Sequence, residues 1–137
     1  MDYPKKLSKN KNRFIYYDYV IFEQGGKNLI QKINSGLWLN MYQFPVFRSD
    51  SCISLKDLKG MIYEKFKVSS YNIELINENF INHKLTHLQI RSRFWKILDA
   101  PKIKGGLYVD NFEKYPMSRL MHKFFEKYNY KLSLISL

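Results

Sequence analysis

The sequence predicts an α/β chain of the α+β kind, a mixed or antiparallel sheet flanked by two helices. Two observations lead there. Runs rich in aromatic and β-branched residues recur between turn signals such as Gly25-Gly26 and Gly105-Gly106, as strands joined by tight turns do. Two other stretches, SLKDLKGMIYEKF and SRLMHKFFEKY, space their apolar residues at the helical period instead. The resulting order, β-β-β-α-β-β-β-α, suits a sheet whose faces are covered by helices.

Each element has a local reason. The lead-in MDYPKKLSKNKNR carries Lys5, Lys6, Lys9, Lys11 and Arg13 against Asp2, so residues 1–13 read as a basic linker and residues 14–137 as the domain. FIYYDYVIFE is strand-like, Gly25-Gly26 turns the chain, and KNLIQKI returns, which predicts a hairpin over residues 14–33. In INSGLWLNMYQFPVF, Gly36 breaks the pattern and Pro45 confines any strand to an edge or an end. Ser54 with Asp57 has the spacing of a capping box, and Leu55, Leu58, Ile62 and Phe66 form one face of the helix that follows. Gly60 weakens the middle of that helix. YNIELI is a short strand. HKLTHLQIRSRFWKIL is a long one, entered through a turn near Asn82 to Lys84. LYVD is a third, and the closing helix is capped by Ser118 with Leu120, Met121, Phe124, Phe125 and Tyr128 as its apolar face.

Composition narrows the function. A chain of 137 residues with 45% apolar side chains can bury one real core. The formal net charge of +11, from 23 basic and 12 acidic residues, favours polyanions, nucleic acid before an anionic membrane surface. Eleven Tyr and ten Phe can fill a core or stack on bases. No run of about 18 apolar residues suggests a membrane span. Met1 to Arg13 lacks the apolar stretch of a signal peptide. The single cysteine, Cys52, can form no internal disulfide, which fits a reducing cytoplasm.

Spacing discriminates among the candidate chemistries. His83 and His87 stand four apart but lack the Glu of H-E-x-x-H, and His122 is remote, so no metal site is expected. Neither phosphate-loop pattern occurs. Asp57 and Glu64 share a helix seven residues apart and read as solvated surface. Alternation along the long strand places His87, Gln89, Arg91 and Arg93 on one face and Leu88, Ile90 and Phe94 on the other. The first face suits phosphates or base edges, or simply water.

Three stretches together carry a resemblance. GLWLNMYQFP at 36–45 resembles the G-L-W-x-x-x-Y-x-F-P signature in the C-terminal domain of the A/G-specific adenine DNA glycosylases, the MutY family. HKLTH at 83–87 is similar to that domain's H-x-[FL]-[ST]-H hairpin, and YPMSRLMHKFF at 115–125 to its closing turn and helix. The lead-in YPKKLSKNKNRF resembles the linker between the halves of these enzymes, so the likeness covers nearly the whole chain.

The resemblance implies a Nudix-like fold and a reader of 8-oxoguanine opposite adenine in double-stranded DNA. Leu85, Thr86 and His87 match the hairpin tip, with Thr86 offering a hydroxyl to the lesion edge and His87 meeting backbone or supporting the loop. Beyond that match, His83 and Lys84 of the same stretch, with Gln89 and Arg91 from the polar face that alternation gives the strand, are the other expected lesion and DNA contacts. The catalytic acid residues and the 4Fe-4S cluster belong to an N-terminal catalytic domain, which is the implied partner. One cysteine cannot hold such a cluster. This chain alone is therefore expected to carry no catalytic residue, cofactor or metal, and to work in a bacterial cytoplasm on the nucleoid.

Two rival readings share the fold or the surface. A free-standing Nudix hydrolase needs the box G-x5-E-x7-R-E-U-x-E-E-x-G-U, yet counting from Gly36 places Tyr42 where the first Glu is required. Magnesium needs several oxygen ligands or ligated waters, and Asp57 and Glu64 form no such cluster in the sequence. A protein-interaction module is the third reading, built on the aromatic surplus that includes Trp38 and Trp95.

Overall fold

The computed structural model describes residues 13–128. The lead-in over residues 1–12 lies outside the described residues, and Arg13 already opens the first strand.

Strand β1 spans Arg13–Gln24, and Gly25-Gly26 turns it into β2, Lys27–Lys32. Both glycines take positive φ, the conformation that a tight turn here demands and side chains resist. The expected third strand is two short ones, β3 at Tyr42–Gln43 and β4 at Val46–Ser49. Pro45 sits between them, where its missing N–H harms no ladder, and its carbonyl accepts from Val20 N–H at 2.9 Å. Helix α1 runs Leu55–Phe66, started by Ser54 Oγ accepting from the Asp57 N–H at 3.1 Å and ended by Lys67 at φ 61. Then come β5 (Asn72–Leu75), β6 (Ile81–Lys84), β7 (Leu88–Leu98) and β8 (Leu107–Val109). Helix α2 covers Arg119–Tyr128, with Ser118 Oγ accepting from Met121 N–H at 3.3 Å.

The central feature is a long parallel pairing of β1 with β7, in register from Arg13 with Leu88 to Phe22 with Ile97. All the other strand pairs are antiparallel, in the order β3-β2-β1-β7-β5, with β4 on β1, β6 on β7 and β8 on β2. The sheet is therefore mixed.

Alternation sends side chains to two cores. Tyr17, Tyr19 and Ile21 of β1 with Ile90 and Phe94 of β7 join Leu120, Met121, Phe124 and Phe125 of α2. Val20 and Phe22 with Trp95 and Ile97 join Leu58 and Ile62 of α1 on the other face. Of the apolar face expected for α1, Leu58 and Ile62 are buried and Phe66 packs half-buried, while Leu55 at the first helical position stays exposed. In the α2 core Phe94 stacks between Tyr19 and Phe124, with ring centroids at 4.7 and 4.0 Å. Phe44 meets Phe112, Phe124 and Phe125 edge-on. Such ring pairs add about 0.5–1.5 kcal/mol each beyond area burial.

Candidate nucleic-acid interface

The turn expected at Asn82 to Lys84 lies three residues later. Residues 81–84 are paired strand, with Lys84 opposite Gln89, and the Leu85 N–H donates to the Leu88 carbonyl at 2.7 Å. Local alternation does not betray the reversal, because polar residues continue through it. Thr86 and His87 occupy the tip, both exposed and both at negative φ, as a β-branched residue prefers. Leu85 is half-buried and packs against the α2 core, so it anchors the hairpin.

His83 pairs across the hairpin with Ile90 and shares its face. Its ring tilts against Trp38 at 5.2 Å, and Nδ1 is buried with no hydrogen-bond partner. Burial, with Lys123 and Arg119 nearby, holds its pKa below the ordinary value. A neutral imidazole beside two cations is the result. Among the described residues, no three His, Cys, Asp or Glu side chains gather as metal ligands.

The three stretches that carry the resemblance meet in space. Trp38 of the first touches His83 of the second. Tyr42 N–H donates to the Pro116 carbonyl at 2.7 Å, and the rings of Tyr42 and Tyr115 lie 5.1 Å apart. Lys123 Nζ of α2 donates to the Asn82 carbonyl of β6 at 2.8 Å. Trp38 is presented by a tight loop in which Gly36, Trp38 and Asn40 all take positive φ, closed by Asn40 N–H donating to the Ile33 carbonyl at 2.9 Å.

The opposite face of the hairpin carries Lys84, exposed, and Gln89 and Arg91, half-buried. Arg91 lies 3.8 Å from the centroid of Phe14 and donates through Nη1 to the Tyr16 hydroxyl at 3.3 Å, so aromatic rings hold its guanidinium in place. Arg93 differs from the phosphate-facing or solvated role that alternation suggested. Its Nε donates to Asp18 Oδ1 at 2.7 Å and its Nη2 to the Ile53 carbonyl at 2.9 Å. Trp95 Nε1 donates to the same carboxylate oxygen at 2.9 Å. Asp18 is fully buried, and no local signal marked it, because its partners are about 75 residues away.

Asp57 and Glu64 do line one groove on α1, together with Lys56 and Lys65. Cys52 is an exposed free thiol just before that helix. Among the described residues no helix is long and apolar enough to cross a membrane.

No protein-family model matches the chain, and no curated protein matches it by sequence. Solved structures do match in three dimensions. The E. coli ORF135 protein aligns at TM-score 0.62 and 15% identity, over 83% of this chain and 87% of that one. The C-terminal domain of mouse MUTYH, solved in complex with human PCNA, aligns at 0.59 and 17%, over 84% and 87%. The MutT protein of Methanosarcina mazei aligns at 0.62 and 16%, over 90% and 98%. The fold is Nudix-like. The expected mixed sheet with two helices is thus the architecture of these neighbours, which include both MutT proteins and a MutY-type C-terminal domain.

Proposed function

We propose that this Nudix-like domain recognises 8-oxoguanine opposite adenine in duplex DNA, as the C-terminal half of an A/G-specific adenine DNA glycosylase. The observation that carries the reading is the convergence of residues 36–45, 83–87 and 115–125 on one end of the sheet. Segments far apart in sequence support one another around a single exposed hairpin tip. Thr86 there presents a hydroxyl, which can both donate and accept. 8-Oxoguanine differs from guanine by an O8 acceptor and an N7–H donor, so a hydroxyl suits either change. Lys84, Arg91, Arg119 and Lys123 supply cations for the flanking phosphates. Adenine excision falls to the catalytic domain with its 4Fe-4S cluster.

The test is fluorescence anisotropy with duplexes of about two helical turns that carry 8-oxoguanine·adenine or guanine·adenine. The chain is expected to prefer the lesion. Thr86→Ala should reduce the preference about fivefold, the equivalent of one hydrogen bond of about 1 kcal/mol. An unchanged ratio removes Thr86 from the site.

The rival reading, a Nudix hydrolase, draws on the shared fold and the groove that holds Asp57 and Glu64. The same groove holds two lysines and no third carboxylate among its described residues. Steady pyrophosphate release from 8-oxo-dGTP with Mg²⁺ would establish the hydrolase instead.

A further inference from the structure

The lesion hairpin stands where β1 and β7 begin, beside the Arg13–Leu88 pair. A second concentration of charge stands where they end. Lys27 follows the β1–β2 turn, Lys65 and Lys67 end α1, and Lys102 and Lys104 lie in the loop between β7 and β8. All five are exposed. They line two adjoining open clefts of about 650 and 390 Å³, which share Lys102, Ile103 and Lys104. Neither cleft has an Asp or Glu among its described lining residues, and none of the five lysines makes an ion pair with a described residue.

This patch is held in shape. Ala100 and Ile103 of the loop are buried, which leaves Lys102 and Lys104 outward. Gln24 Nε2 donates to the Ala100 carbonyl at 3.4 Å, and Gln31 Nε2 to the Gly105 carbonyl at 3.1 Å. The Ile103 N–H donates to the Tyr108 hydroxyl at 2.9 Å. Three of the ammonium groups rest near rings, Lys65 by Phe47, Lys67 by Tyr63 and Lys102 by Tyr108, at 5.6 to 5.8 Å. Lys65 also borders the α1 groove that holds Asp57 and Glu64, but the two clefts themselves are lined by like charges, which repel one another unless a polyanion binds.

We infer that Lys27, Lys65, Lys67, Lys102 and Lys104 form a second docking surface, for the phosphate backbone of duplex DNA away from the lesion. The inference rests on the proposed function in taking duplex DNA as the polyanion. Spacing agrees with it. The eleven residues of β7 separate the two ends by roughly 35 Å at about 3.3 Å per residue, close to one turn of duplex. The hairpin reads the base, and the lysine patch supplies affinity that is indifferent to sequence.

The experiment measures Kd of the full 137-residue chain for an undamaged duplex of the same length across a salt series, with the 8-oxoguanine·adenine duplex alongside. The variant replaces the five lysines by Gln, which keeps most of each stem and removes the charge. Its unfolding midpoint is checked first. The slope of log K against log salt should fall by up to about 4.5, near 0.9 for each phosphate that is no longer neutralised, with the lesion preference unchanged. An unchanged slope and affinity overturn the second surface while a persisting lesion preference keeps the hairpin reading. A reduced slope in a chain that shows no lesion preference does the reverse. Loss of binding to phosphatidylglycerol vesicles with DNA binding intact also overturns the inference, in favour of a membrane surface.

Discussion

Arg93→Met separates a structural arginine from a DNA-contacting one. The Arg93 side chain is 15% exposed and bonds an Asp18 side chain that is not exposed at all. Its removal leaves Asp18 with one donor, Trp95 Nε1, on one oxygen, while Oδ2 already lacks a partner. Breaking a buried pair by removing one member costs about 3–5 kcal/mol. Against a typical domain stability of about 5–15 kcal/mol, that is a large share. Asp18→Asn in the same background removes the stranded charge, so the double variant should recover much of the stability, with a coupling of about 2 kcal/mol. Urea unfolding followed by tryptophan fluorescence measures this directly, since Trp95 lies within the network. While folded, Arg93→Met should keep the duplex affinity of the parent. Full stability combined with abolished DNA affinity would refute the argument and place Arg93 on phosphate.

Three further outcomes are expected. Gly106→Ala would set a Cβ 2.5 Å from the Ile30 carbonyl oxygen and 2.8 Å from Leu29 Cδ1, so it should cost about 1–3 kcal/mol, read as a lower unfolding midpoint. Ser54→Ala removes the acceptor for the Asp57 N–H and should cost about 1 kcal/mol in urea, with α1 otherwise intact. Because the folded state holds the His83 pKa below 6.5, its contribution to stability is present above that pH and is lost as the unfolded chain takes up the proton at lower pH. Thermal melts from about pH 7 to about pH 5, the range in which histidine titrates, should therefore fall more steeply for the parent than for His83→Asn; parallel profiles would refute the shift.

The reach of local reading shows at particular residues. Gly25-Gly26 needed no tertiary context to be placed in a turn, and the first hairpin, expected over residues 14–33, occupies 13–32. Both helices follow from their period and their serine caps. The turn between β6 and β7 lies beyond its expected place, yet its tip was found through the HKLTH stretch. The lysine patch was invisible, because its five members come from three separate segments with no shared pattern.

Composition, period and turn residues by themselves determined an α+β domain, its two amphipathic helices, its excess of positive charge and the two faces of β7. Those features depend on neighbours within a few residues, where backbone geometry and side-chain spacing suffice. Tertiary structure alone decided which face of β7 meets which helix. The face with Arg93 lies over Asp18, and the parallel pairing with β1 put it there. It also decided that the 36–45, 83–87 and 115–125 stretches share one end of the sheet. Long-range pairing is set by the sum of many weak burial terms across the whole chain, and no single stretch of sequence encodes it.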